Sequence, residues 1–308
     1  MDLESIFTQA TFYSTCYEGL VFSLLALGVY LTFRVLAFPD LSVDGTFALG
    51  GIVVGVLIAK HSMNPFAATL AAMAAGFCAG MVTGILNAKF RIPALLAGIL
   101  MMFGLYTVNI MINAGSANRP LLRDRTIFDI TEDWFRIDGI ELSIITVLII
   151  VVAVFFFLNW FLRTDIGLAM RATGDNEQMV RSLGMDTDKS IILTCGISNS
   201  MVALSGAVIA QNQGFADAGM GWGKIVIGLA IVIVGAALIR QRGIASILLA
   251  CIVGAFVYRF IYIATLEMDW LEPYHFYGVT VLLVIIILTL PYIKKKIRGE
   301  WIPPATRY

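Results

Sequence analysis

Charge is scarce in this sequence. Only 14% of its 308 residues are Asp, Glu, Lys or Arg, and 59% are hydrophobic, whereas soluble domains carry about 25% charged residues. Mean hydropathy is +0.88. So little charge cannot cover a water-facing surface, which excludes the pair of soluble domains that the length alone suggests. Lys plus Arg and Asp plus Glu both number 21, so a nucleic-acid partner has no electrostatic support. Histidine is nearly missing. His61 and His275 stand at outer span edges and cannot furnish an intramembrane metalloprotease. No H-E-x-x-H, no G-x-S-x-G and no carboxylate pair at helical spacing within an apolar run occurs, so no residues are in place for covalent catalysis or a metal site. Cys16, Cys78, Cys195 and Cys251 lie in four different apolar blocks without C-x-x-C, the pattern of buried thiols rather than of disulfides or zinc ligands. Asp2 and Glu4 stand where a signal peptide carries lysines, so no cleaved targeting segment is expected.

What the sequence has in excess is apolar runs of membrane-crossing length, about 20 residues for a ~30 Å hydrocarbon core. Nine spans are expected: 16–38, 45–60, 64–88, 92–114, 140–162, 190–212, 222–239, 243–266 and 275–293. The second is short, about 24 Å as a helix. Lys294, Lys295, Lys296 and Arg298 follow the last span, which places the C-terminus in the cytoplasm and, nine crossings back, the N-terminus outside. Fourteen basic residues then fall inside and seven outside. The expected fold is an all-α polytopic membrane protein, a single transmembrane domain over 1–308, with an outer loop at 115–139 and a cytoplasmic loop at 163–189. Neither loop is long enough for a soluble domain.

Four features stand out. Phe38-Pro-Asp-Leu-Ser-Val-Asp-Gly-Thr46 combines Pro39, Gly45 and the local hydrogen-bonding side chains of Asp40, Ser42, Asp44 and Thr46. It reads either as a helix break facing a translocation path or as an ordinary cytoplasmic turn with solvated aspartates. In the cytoplasmic loop, Asp175 as N-cap, Gln178 three residues on, Glu177 and Arg181 at opposite ends and Gly184 at C′ predict a two-turn helix over 176–183. Met179, Val180 and Leu183 form its apolar face. Too short to stand alone, it must pack on its own membrane domain or on a partner. Phe215-Ala-Asp217 echoes Phe38-Pro-Asp40, each followed by glycine and a glycine-bearing apolar helix. The echo is either coincidence or the mark of an inverted repeat of spans 1–4 against 6–9. Gly76-x3-Gly80-x3-Gly84 and Gly51-x3-Gly55 predict close helix packing. Arg259 is expected to snorkel outward.

These strings, Phe38 to Gly51, Arg171-Ala-Thr-Gly-Asp-Asn-Glu177 with Leu183-Gly184, and Ser198-Asn…Gly206…Gln211-x-Gln-Gly-Phe-x-Asp217, together resemble the membrane permeases of bacterial ATP-binding-cassette importers. The branch is the branched-chain amino acid/ribose permease family, and the Phe-Pro-Asp string is most similar to its tryptophan/tyrosine-type uptake permeases. The resemblance runs from about Glu18 to about Leu290. It implies a type II importer-like bundle in the bacterial inner membrane and a homodimer with the pathway between copies. It also implies two cytoplasmic ATP-binding subunits that hold the ATP and Mg2+, and a substrate-binding protein docking outside. The ATPase-coupling residues it implies are Arg171, Thr173, Gly174, Asp175, Asn176, Glu177, Met179, Val180, Leu183 and Gly184. Pro39, Asp40, Ser42, Asp44, Gly45, Thr46, Asn199, Gln211 and Gln213 would lie on or near the pathway, with Phe215 and Asp217 on the binding-protein side. Ribose-type members carry an additional N-terminal span, for which the residues before Cys16 leave no room.

The implied cargo is an aromatic amino acid, with other small solutes second. The rival reading is an ion-coupled secondary transporter in which Asp40 or Asp44 binds the ion and no ATPase is needed.

Overall fold

The computed structural model describes residues 9–122, 124–135, 140–240 and 242–266, with isolated helical positions at 278, 281, 282, 285, 286 and 289. The chain is almost wholly helical. Helix α1 (Gln9–Tyr30) continues into a π-helical turn, Leu31–Val35, and is followed by α2 (Ser42–His61), α3 (Pro65–Ala88) and α4 (Ala94–Ile112). A short strand β1 (Asn118–Pro120) and helix α5 (Ile127–Phe135) lead to α6 (Ile140–Phe161). Next come α7 (Asp165–Asp175), α8 (Glu177–Ser182), α9 (Thr187–Gln213), strand β2 (Phe215–Asp217), α10 (Lys224–Leu238) and α11 (Ile244–Leu266).

Seven of these helices are long and apolar enough to cross a membrane, and α10 is a shorter apolar helix. The expected ninth span, 275–293, and the basic cluster after it lie outside the described residues apart from the isolated positions above. Two expectations of length are corrected. The second span is not short: α2 has 20 residues, because Ser42 to Thr46, polar as they are, are already helical. The short element is the seventh, α10, whose 15 residues reach only about 22 Å.

Local signals account for several ends. Asn64 accepts from the Phe66 amide at 2.9 Å and is followed by Pro65 at the first helical position, which starts α3. Asp186 caps α9 through the Lys189 amide, the main cause of its carboxyl being held below the usual range. Gly214 ends α9 at φ 74°, a left-handed conformation that glycine adopts without steric cost.

The bundle has a buried centre and an apolar rim. Helices α1, α2 and α9 are enclosed along most of their length, whereas α4, α6 and α11 expose large apolar side chains such as Phe103, Phe156 and Leu249. Small residues allow this. Gly80 faces the Cys195 carbonyl, Gly84 the backbone of Ile192, and Gly206 the Phe47 carbonyl, each so close that an added Cβ would collide. Apolar side chains meet lipid on the rim as readily as each other, so tight backbone approach and polar ties hold the helices together.

The loops are more structured than expected. The 115–139 loop contains α5 and β1, and β1 pairs antiparallel with β2 in the register Asn118↔Asp217, Arg119↔Ala216, Pro120↔Phe215. The 163–189 loop holds two helices, not one. Arg259 does not snorkel. It forms an ion pair with Glu18 of α1, and its guanidinium lies 4.6 Å from the Tyr262 ring centroid. Of the four free cysteines, Cys195 and Cys251 are buried, Cys16 is half-buried and Cys78 is exposed.

Candidate functional site

Two sites stand at opposite helix junctions, one at the break after α1 and one at the α7–α8 corner, and they touch. The break begins as the hydrogen bonds span more residues than an α-helix allows: Leu36 donates to the Leu31 carbonyl (3.1 Å) and Phe38 to that of Thr32 (2.9 Å). Ala37 then takes φ 54°. Pro39 and Asp40 complete the turn, so the irregular backbone is 36–41. Ser42, Asp44, Gly45 and Thr46 belong to α2.

Asp40 is fully buried, and so is Asn199 on α9. One carboxyl oxygen of Asp40 accepts from the Ser42 amide (2.9 Å) and hydroxyl (2.6 Å). The other accepts from Asn199 Nδ2 at 2.8 Å, and Nδ2 also reaches the Cys195 carbonyl at 3.0 Å. An unsatisfied polar group here would be costly, and Asp40 has none. It closes a turn onto Ser42, the first residue of α2, with the first of these contacts and ties the break to α9 with the second.

Asp44 does something different. Its two oxygens accept from the amides of Gly223 (2.9 Å) and Ile225 (2.7 Å), closing the first turn of α10 from another helix. Gly223, at the N-cap of α10, has no side chain to do so. The Lys224 ammonium beside it lies 5.2 Å from the Phe22 ring centroid and 5.5 Å from that of Phe47. Thr46 bonds back to the Ser42 carbonyl, and the Gly45 carbonyl accepts from Asn109 of α4.

Gln211, near the far end of α9, joins three elements. Its carbonyl oxygen accepts from the Ile127 amide at the start of α5 (3.0 Å), and its amide donates to Thr69 of α3 (3.0 Å) and to the Ala207 carbonyl. Gln213 and Phe215 are exposed there. Asp217 closes on the Gly219 amide at 2.7 Å, the same two-residue-ahead turn that Asp40 makes with Ser42.

At the other end, the helix expected over 176–183 is α8, and its cap is corrected. Asn176, not Asp175, accepts from the Met179 amide at 2.9 Å, while Asp175 is the last residue of α7. Asn176 thus closes α7 and opens α8. Glu177 and Arg181 pair at 2.7 Å, and Gly184 takes φ 83° as expected. Val180 is 1% exposed, but Met179 is 48% and Leu183 72% exposed, so the apolar face is split between the bundle and the outside. Thr173 is buried and bonds to the Ala169 carbonyl, Arg171 is half-buried, and Gly174 packs directly on the backbone of Val35 and Leu36. That contact joins the α7–α8 corner to the break that leads to Asp40.

The sequence did not reveal the ionic hub beside it. Asp188 pairs with Arg181 (3.0 Å) and Lys89 (3.3 Å), linking α8 to the start of α9 and the α3–α4 connection. The only signal available was charge in two loops on the same expected side.

Comparison with known proteins covers the same elements. The sequence profile described as branched-chain amino acid transport system, permease component, matches residues 12–290. A tyrosine transport system permease protein of Clostridioides difficile is 40% identical over 243 residues, 79% of each chain. The uncharacterized protein RP368 of Rickettsia prowazekii is 30% identical over 287 residues, 91% of this chain and 96% of its own. The ribose import permease protein RbsC of Escherichia coli K12 is 27% identical over 234 residues, covering 75% and 70%. No solved structure matches. The buried helical centre, the lipid-compatible rim and these matches lead to one conclusion: the chain is a multi-pass, all-helical membrane protein that belongs to the permease-component family of branched-chain amino acid transport systems.

Proposed function

We propose that this permease works as a homodimer driven by two cytoplasmic ATP-binding subunits, with an extracytoplasmic binding protein delivering an amino acid, first an aromatic one of the tyrosine type. The single observation that carries the ATPase coupling is the split face of α8. Val180 anchors the helix to its own bundle, while Met179 and Leu183 stand clear, as side chains awaiting a partner's groove do. Gly174, one turn away, rests on the break after α1, so displacement of α8 reaches Leu36 and, through the irregular backbone 36–41, the Asp40–Asn199 tie.

On this reading the cargo passes between two copies. The centre of one bundle is filled by buried Asp40, Ser42, Thr46 and Asn199, which act as the rigid tie behind the path rather than as its open wall. The matching turns at Asp40 and Asp217 support an inverted repeat, with the α7–α8 corner inside and β1–β2, Gln213 and Phe215 on the binding-protein side. The N-terminus is then outside. Asp40 and Asp44 are both engaged in structural hydrogen bonds, which favours this mechanism over ion coupling.

The test is co-purification with candidate ATPase subunits, wild type against Leu183→Glu. Stable binding by the wild type, lost in the variant at unchanged thermal stability, is expected. If no ATPase binds, or Leu183→Glu binds equally well, the coupling assignment is wrong, and Asp40 and Asp44 return as ion-site candidates.

A further inference from the structure

A cavity of about 210 Å³ lies between the end of α1, the C-terminal half of α10 and the N-terminal half of α11. Most of its wall is apolar, built from Val232, Ile233 and Ala236 of α10 and Ile247 and Ala250 of α11. Its polar edge is Tyr30 and Arg34, on the last residue of α1 and in the π-helical turn. Arg34 is exposed and makes no ion pair among the described residues.

A guanidinium with no ion-pair partner among the described residues stands at the edge of a largely apolar cavity, and an apolar wall favours an apolar occupant. An anion and a hydrocarbon chain are wanted within one reach, in a protein surrounded by molecules that carry both. We propose that this cavity is a binding site for an anionic phospholipid, its phosphate held by Arg34 and part of one acyl chain lodged between α10 and α11. Arginine suits the role because its planar fork pairs with phosphate oxygens in two parallel bonds, and basic pockets between membrane helices bind anionic headgroups. The site stands whether or not the proposed cargo is correct.

The experiment is native mass spectrometry of the purified protein with phosphatidylglycerol or phosphatidylcholine added. Wild type should retain phosphatidylglycerol in preference to phosphatidylcholine. Arg34→Gln should cut retention about fivefold, the effect of one cation near a lipid surface, and Arg34→Lys, which keeps the charge but loses the fork, should restore only part of it. Ala236→Phe, which fills the cavity without touching charge, should lower retention as well. Arg34 and Ala236 are both exposed, and the thermal midpoint of each variant checks its fold. Equal retention of the two lipids, undiminished retention by Arg34→Gln, or displacement of phosphatidylglycerol by equimolar inorganic phosphate would overturn the proposal.

Discussion

Replacing Asn199 with leucine is the most informative single change in the buried centre. Leucine is close to asparagine in size, so the packing of α9 against α3 is kept while the donor to Asp40 is removed. Asp40 is fully buried and loses its 2.8 Å partner. Hydrogen bonds between membrane helices average about 0.6 kcal/mol in double-mutant cycles, with a maximum near 1.7, while bonds to charged groups in soluble proteins are worth about 1.5–3. The Asp40–Asn199 pair belongs at the junction of those ranges, because its acceptor is a carboxyl whose other oxygen is already used by Ser42. A coupling of about 1.5 kcal/mol is expected. The assay is a cycle of Asn199→Leu, Asp40→Ala and the double variant, unfolded in dodecyl sulfate and followed by the fluorescence of the five tryptophans. Additive single effects, within about 0.5 kcal/mol, would show that the two side chains do not act on each other and would remove the tie on which the transmission argument rests.

Three further outcomes follow from the same geometry. Asp44→Ala strips both acceptors from the start of α10; it should cost about 1–2 kcal/mol, and hydrogen exchange should accelerate selectively at the amides of Gly223 and Ile225. Gly80→Leu pushes a side chain into the Cys195 backbone and should destabilise by at least about 1–3 kcal/mol, whereas Gly104→Leu on α4, which meets nothing within 4 Å, should not lower the unfolding midpoint. Asp188→Asn removes the shared partner of Lys89 and Arg181; the loss should approach about 1 kcal/mol at low salt and shrink markedly near 1 M, where the Debye length falls to ~3 Å.

Hydropathy made the spans visible because each must be apolar for about 20 residues regardless of its neighbours. It misread the start of α2 for the same reason. Ser42, Asp44 and Thr46 look like a polar turn until Asn199, Gly223 and Ile225 are placed beside them, and those partners come from about 160 to 180 positions away in sequence. Helix α7 was hidden by its two glycines. They weaken it locally, yet they are what let it lie against the backbone of Leu162 and Val35. Around α8 the local signals sufficed, since capping is read within a few residues, and the error was one position, Asn176 for Asp175. The ionic hub at Asp188 and the pairing of Arg259 with Glu18 depend on which helices become neighbours, and span-by-span reading carries no such information.

Asn176 belongs to two helices at once. As the final cap of α7 and the first of α8 it leaves the corner a single residue of non-helical backbone, with one pair of torsions through which the elbow can bend. A flexible connector would absorb a push on α8 as slack. This one has almost no backlash: a displacement must either turn that hinge or travel down α7 intact. Lengthening the joint by one or two glycines would therefore act as a clutch, leaving both helices folded and their grip on neighbours unchanged while disconnecting one motion from the other.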